Sequence, residues 1–481
     1  MLFNTISYGI FLPVIFILYW TMGVRFRKIQ NPFLLVASYF FYACWDWRFL
    51  FLLMFSTVLD YYTGLKMEDA TTLFRKKFWF WLSIIVNLGF LGVFKYFNFF
   101  TLSFSRLLDS FGFEVHLWTL SVILPVGISF YTFHGLSYVI DIYYNRIKPE
   151  RNFVDYSLFV SFFPLLVAGP IERATHLLPQ IKSQRTFDFE KAKAGLRQIL
   201  WGLFKKVVIA DQCAEFANIA FNNSSQHSGS TLALGALFFT FQIYGDFSGY
   251  SDIALGTAKL FGIDLLRNFA YPYFSRDIAE FWRRWHISLS SWFRDYLYIP
   301  LGGSKGSTWI QVRNVFIIFI VSGFWHGASF TFIIWGFLDA LFILPSVLFK
   351  TNRNNLEIVA KGRIFPNVGE LGSMIFTFIL TNLAWVFFRS NSVQQAFQFL
   401  GGIANETLFS TPVFAGKSLT VIGLLLSFFV LIEWIGREKQ FALEELGTPY
   451  PRLFRWSFYY ALGFLIFYFS GAEQQFIYFQ F

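Results

Sequence analysis

Two histidines in this chain stand where an ionisable group is expensive. The first is His326, in "VSGFWHGASFTFIIWG", the only ionisable residue between Asn314 and Gly336. A polar residue inside an apolar run marks a functional position by default. A neutral imidazole there has the chemistry of a general base. It takes a proton from a hydroxyl nucleophile, and burial favours the neutral form that a base needs. The plain alternative is a core histidine bonded to a neighbouring helix. Gly323 and Gly327 bracket His326 and let another backbone, or a thin substrate, come close.

The second is His286, in "EFWRRWHISLSSWFRDYLYIPLGGSK", residues 280–305. Read as one helix, Trp282, Trp285, Leu289, Trp292, Phe293 and Tyr296 share a face. Arg283, Arg284, Ser288, Ser290, Ser291, Arg294 and Asp295 take the other. Such a helix suits a membrane interface, with rings towards lipid and cations towards water or phosphate, and that reading alone explains most of the pattern. His286 does not fit it, because it falls on the aromatic side. Pro300, Gly302 and Gly303 predict the stop.

Further anomalies carry less chemistry. In "FQIYGDFSGYSDIALG", Asp246 and Asp252 lie in an apolar run and need partners. Arginines of the 276–294 segment are the expected ones, and a polar path is the alternative. "FPLLVAGPIER" ends an apolar run and presents Glu172 and Arg173. His116, His134, His176 and His227 are scattered, without the i, i+4 spacing of a helical zinc motif, so no metal is expected. Cys44 and Cys213 form neither a disulfide framework nor a recognisable nucleophile–histidine motif.

The elements that position these residues must work in lipid. Of 481 residues, 56% are hydrophobic and only 14% charged, about half the charged share of a soluble domain. Twelve spans, give or take two, are expected at about 6–20, 33–44, 49–65, 78–96, 120–143, 199–221, 231–256, 314–334, 335–349, 371–389, 418–435 and 456–471. The run at 154–170 reads as re-entrant, and the first as a retained span rather than a signal peptide. Loops at 21–32, 66–77, 144–153, 171–198, 257–313, 350–370 and 436–455 are basic and fall on one side, whereas 222–230 has no Lys or Arg. Basic loops face the cytoplasm, so both termini would face outward. The net charge of +10 therefore reflects topology, and no nucleic acid is expected. No repeat or linker divides the chain, so one all-α membrane domain is expected over 1–481. A transporter of envelope precursors would share the buried carboxylates and basic loops, but internal repetition is its mark.

At these residues a resemblance becomes specific. "EFWRRWHISLSSWFRDYLYIPLGG", "GFWHGASFTFIIWG", "YGDFSGYSDIALG", "LPVGISFYTFHGLSYVIDIYY" and "FPLLVAGPIER" together, over most of the chain, resemble the membrane-bound O-acyltransferase family. Within it the likeness is to the bacterial branch of alginate O-acetylation and teichoic-acid D-alanylation. The resemblance implies a ring of membrane helices around a thinned centre with a tunnel. It places the family's membrane histidine on His326 and its second histidine on His286. It implies an acyl group entering on a cytoplasmic thioester, acetyl-CoA or an acylated carrier protein, with no bound cofactor. The group would leave on a hydroxyl of an extracytoplasmic polymer, directly or through an acceptor-handling partner protein. Arg283, Arg284, Trp285, Ser288, Arg294 and Trp325 are then the candidate substrate-binding residues. Acetyl is the preferred acyl group, D-alanyl the alternative, and a bacterial cytoplasmic membrane the expected location.

Overall fold

A backbone surrounded by lipid has to satisfy its own N–H and C=O groups, and the apolar runs of this chain do so as helices. The computed structural model describes residues 1–25, 27–113, 118–120, 123–167, 169–445, 450–471, 474 and 476–477. His116 lies outside them. Among the described residues every regular element is helical. Four helical stretches are long and apolar enough to cross a membrane: Leu73–Ser110, Thr308–His326, Phe330–Leu348 and Val368–Arg389. Two shorter apolar helices are Ile6–Met22 and Leu419–Ile435. Large apolar side chains point outward from these stretches, Ile85, Phe376 and Leu424 among them, as a lipid-facing surface requires.

Several boundaries differ from expectation. The runs at 33–44 and 49–65 belong to one helix, Gln30–Glu68, interrupted only at Asp46 (φ −158°, ψ 109°). There the carboxylate accepts from the Arg48 backbone and guanidinium, local bonds that offset the broken ladder. The run at 154–170 breaks at Phe162 between Phe153–Ser161 and Phe163–Leu166, and these residues from Asp155 to Leu166 are buried. The spans expected at 314–334 and 335–349 fall instead at Thr308–His326 and Phe330–Leu348. Gly327 ends the first, and the Ser329 side chain caps the second.

The chain forms two compact units. The first comprises 1–195 and 257–266. Its helices pack around a buried carboxyl, Asp60, which accepts from Ser83 Oγ at 2.6 Å and Asn87 Nδ2 at 2.7 Å. Its loop residues are tied together as well. Glu172 accepts from the Leu266 amide at 2.6 Å and pairs with His176 Nδ1 at 2.7 Å, while its own amide donates to His134 Nε2.

The second unit comprises 196–256 and 267–481 and holds both singled-out histidines. Its frame is the hairpin of Thr308–His326 and Phe330–Leu348. A Cβ on Gly323 would stand 2.2 Å from the Phe332 carbonyl oxygen, and one on Gly336 2.1 Å from that of Phe319. The two backbones touch only because both residues are glycine. So Gly323 admits a neighbouring backbone rather than a substrate, and Gly327 does the same for the Phe332 ring.

Candidate active site

The Arg- and Trp-rich segment forms two short helices instead of one. Ile278–Arg284 and Ile287–Phe293 are separated at Trp285–His286, with a π-helical turn at Arg294–Tyr298 after them. His286 adopts the left-handed conformation (φ 43°, ψ 53°), uncommon for a residue with a Cβ. The break is held from outside the segment. The Asn268 carbonyl accepts from the Ile287 amide at 2.9 Å, and Asn268 Oδ1 from Ser288 Oγ at 2.6 Å. Ala270 and Arg284 exchange backbone and guanidinium bonds. Ser288 is therefore buried and bonded inward rather than on a polar outer face. The segment docks on the hairpin through Trp282, whose ring lies 5.1 Å from Phe319 and 5.8 Å from Trp335.

This docking brings the two histidines together, with ring centroids 6.5 Å apart. That is well inside the roughly 10–15 Å that a shared reaction allows. His286 is 1% exposed, and neither ring nitrogen has a hydrogen-bond partner. Burial pushes its pKa well below the ordinary range, so the ring is neutral. A buried polar group left unsatisfied and strained at once calls for a functional reason. His326 is the last residue of its helix, 13 residues beyond Arg313, or about 20 Å along the axis. The two rings sit in an aromatic box. Phe247 meets His286 edge-on at 4.7 Å. Trp325, Trp335 and Phe388 lie 4.9, 5.2 and 5.5 Å from His326. Trp285, also buried, packs on Trp385, which stacks on Trp335.

The arginines face another way. A cavity of about 570 Å³ is lined by Arg267, Arg283, Arg284, Arg437 and Lys439 against Glu280, Glu438 and Glu444, an excess of positive charge. Glu280 is buried and shared, bonding Arg284 at 2.8 Å and Arg276 at 3.0 Å. The Arg283 guanidinium donates to the Asn352 and Asn355 carbonyls, so it is anchored at the cavity wall. Arg294 is exposed, bonds to Asp295 and does not line this cavity.

Asp246 and Asp252 pair with lysines, not with the arginines expected. Lys206 bridges Asp211 and Asp246 at 2.7 and 2.8 Å, and Lys205 meets Asp252 at 2.6 Å. Both lysines lie in a π-helical stretch, Phe204–Ala210, that turns them towards the carboxylates. Glu433, also buried, accepts from Trp201 and Tyr244. Two adjacent lysines in the run "WGLFKKVVIA" were the available signal. Asn268, Trp335 and Phe388 carried no such mark, since nothing along the chain places them beside the two histidine-bearing segments.

The model of the membrane-bound O-acyltransferase family matches residues 148–390. A probable alginate O-acetylase of Pseudomonas aeruginosa is 38% identical over 446 residues, covering 92% of this chain and 82% of that protein. A peptidoglycan O-acetyltransferase of Helicobacter pylori is 37% identical over 432 residues, covering 84% of this chain and 80% of the relative. A teichoic acid D-alanyltransferase of Bacillus subtilis is 28% identical over 227 residues, covering 45% of this chain and 57% of the relative. A chain with two buried histidines in one aromatic box on a membrane-helix hairpin, so related over most of its length, belongs to the membrane-bound O-acyltransferase family and is an O-acyltransferase.

Proposed function

We propose that this enzyme moves an acetyl group from a cytoplasmic thioester to a hydroxyl of an extracytoplasmic envelope polymer, with His326 and His286 in one active site. The observation that carries the reading is the 6.5 Å separation of two buried imidazoles, one of them strained and with no hydrogen-bond partner. Acetyl is favoured over D-alanyl because the O-acetylating relatives match more of the chain at higher identity than the D-alanylating one. The polymer class follows the same relatives, whose names specify alginate and peptidoglycan.

In the proposed step His326 takes the proton of the acceptor hydroxyl as its oxygen attacks the thioester carbonyl carbon. A tetrahedral oxyanion forms and collapses, breaking the C–S bond. The thiolate leaves and receives the proton from His326, so the site returns to its starting state. His286, neutral and without another partner, orients the thioester or donates to its carbonyl oxygen. The aromatic box excludes water, which would otherwise hydrolyse the thioester. Arg283 and Arg284 hold the positive wall of the donor cavity, where a phosphorylated carrier, coenzyme A or a phosphopantetheine on a protein, would enter. Trp285, Ser288 and Trp325 shape the passage from there, and Arg294 adds positive charge on the same exposed side. The two units act as one acyltransferase domain over 1–481. About twelve membrane helices form a ring with a central tunnel, in a bacterial cytoplasmic membrane, with an acceptor-handling protein outside.

The test is acyl transfer by purified protein in lipid nanodiscs. Wild type is expected to release free thiol from acetyl-CoA or an acetylated carrier protein only when envelope polymer is present. Replacement of His326 by Ala should stop the release while leaving the thermal transition in place. Undiminished transfer by that variant would refute the site.

A further inference from the structure

A cavity of about 210 Å³ is walled by Val368–Arg389 and Leu419–Ile435 and shares no lining residue with the Arg-lined one. Leu371, Met374, Ile375 and Phe378 line it at the i, i+3, i+4, i+7 spacing of one helix face. Phe241 and Phe429 add two more rings. Glu433 is its one charged lining residue among the described residues, and both carboxylate oxygens are used, accepting from Trp201 at 2.9 Å and Tyr244 at 2.6 Å. The Tyr273 hydroxyl donates to the Thr240 carbonyl at 2.7 Å. Tyr271 alone in this lining keeps a hydroxyl without a partner, enough for one ester oxygen and too little for a polar ligand. An apolar cavity does not hold water, and an empty one forfeits dispersion contacts along its walls. Leu371 and Ile375 are about half exposed and belong to a helix long and apolar enough to cross a membrane, so the mouth opens on hydrocarbon.

The cavity lies at the start of Val368–Arg389 and the end of Leu419–Ile435, where the basic loops 350–370 and 436–455 meet it. Val359 and Ala360 pack on Met374. Arg437 fixes this rim by donating to the carbonyls of Val359, Ala360 and Arg363 at 3.1, 2.7 and 2.5 Å. Lys361, next in the chain, is exposed and has neither ion pair nor hydrogen bond among the described residues.

We propose that this cavity seats one acyl chain of an anionic phospholipid from the cytoplasmic leaflet, with the phosphate at Lys361. The chain supplies carbon to walls of carbon, and it enters from the bilayer without crossing water. Its phosphate meets an unpaired ammonium held beside the mouth. The leaflet rests on the basic loops facing the cytoplasm, whereas the site itself does not. Tyr273 and Tyr244 lie 6.0 and 6.1 Å from Trp285, the residue before His286. The lipid chain therefore completes the packing behind the histidine-bearing break.

Photolabelling tests the site. The full-length protein is placed in phosphatidylcholine nanodiscs with a trace of phosphatidylglycerol that carries a diazirine on one acyl chain. After irradiation, digestion and mass spectrometry locate the label. The exposed Phe464 and Phe467 report lipid that merely surrounds the protein. Label on 371–378 and 429–433 should be several times that on Phe464 and Phe467. Met374→Trp, which fills the cavity, should reduce it to the reference level. Ile375→Trp, which blocks the mouth from an exposed position and so spares the fold, should do the same. Lys361→Gln should lower cavity capture of the phosphatidylglycerol probe severalfold. Equal label on cavity and reference residues, or cavity label that Ile375→Trp leaves unchanged, would overturn the site. Undiminished capture in Lys361→Gln would overturn the headgroup assignment.

Discussion

His326 and His286 differ in what their surroundings permit. His326 ends a helix beside Trp325, Trp335 and Phe388, whereas His286 stands in a left-handed break with neither ring nitrogen bonded. Replacing His326 by Ala is expected to lower transfer by about 10²–10⁴-fold, the usual worth of a general base, with little change in the thermal midpoint. Transfer at a near wild-type rate in the purified variant would assign the proton to another group. For His286 the sign of the pH effect follows from its environment. Its folded pKa is depressed by burial, and the unfolded chain has the ordinary value of about 6.5. Below that value the unfolded state binds a proton that the folded state refuses, so stability is complete above it and declines as pH falls. Between about pH 7.5 and pH 5 the wild-type midpoint should therefore drop more steeply than that of His286→Asn, since Asn is uncharged and tolerates the left-handed backbone. Parallel slopes in differential scanning fluorimetry would contradict this account.

Helices and loops carry the next level of cause. The hairpin that presents His326 depends on Gly323 and Gly336, because any Cβ there would strike a carbonyl oxygen of the facing helix. Gly323→Ala should part the two helices and cost about 1–3 kcal/mol of stability, with a loss of transfer through displacement of His326. Unchanged melting and activity would mean that the hairpin relaxes freely. The broken Ile278–Phe293 segment has the complementary task of carrying arginines at one end and a histidine at the other. Arg284→Ala should raise KM for the donor more than it lowers kcat, because a group that binds ground and transition states alike is lost. The π-helical stretch Phe204–Ala210 supplies the counter-charges of the interior. Lys206→Ala would strand Asp211 and Asp246, and a buried pair broken on one side costs about 3–5 kcal/mol. Wild-type yield and melting of that variant would show that water, not Lys206, satisfies the carboxylates.

At the scale of the whole molecule, the prediction concerns membrane and product. If the basic loops face the cytoplasm, a cysteine placed at position 305 should be labelled by an impermeant maleimide only after the cells are opened. Labelling of intact spheroplasts would invert the topology and put the Arg-lined cavity on the wrong side for a cytoplasmic donor. Mass spectrometry of envelope polymers from cells with and without the protein then reads the product. O-acetyl groups present only with the protein are the expected result, and O-linked alanine in their place would select the D-alanyl reading.

Composition alone placed this chain in lipid, because too few charges exist to cover a water-soluble surface. The isolation of His326 in an apolar run and the misfit of His286 on an aromatic face were legible from spacing, since burial of an ionisable group is costly wherever the chain goes. The Pro300–Gly303 turn also acts locally, and sequence carries local signals well. Span boundaries were less legible, because hydropathy varies smoothly whereas a helix ends at a cap or a glycine. What only the tertiary structure decided was every relation between distant segments. Asn268 pins the break at His286, Trp282 docks the segment on the hairpin, and Lys205 and Lys206 take the carboxylates that arginines were expected to hold. Each depends on which helix faces which, a choice made by close packing of the whole unit, and no periodicity within one segment records it.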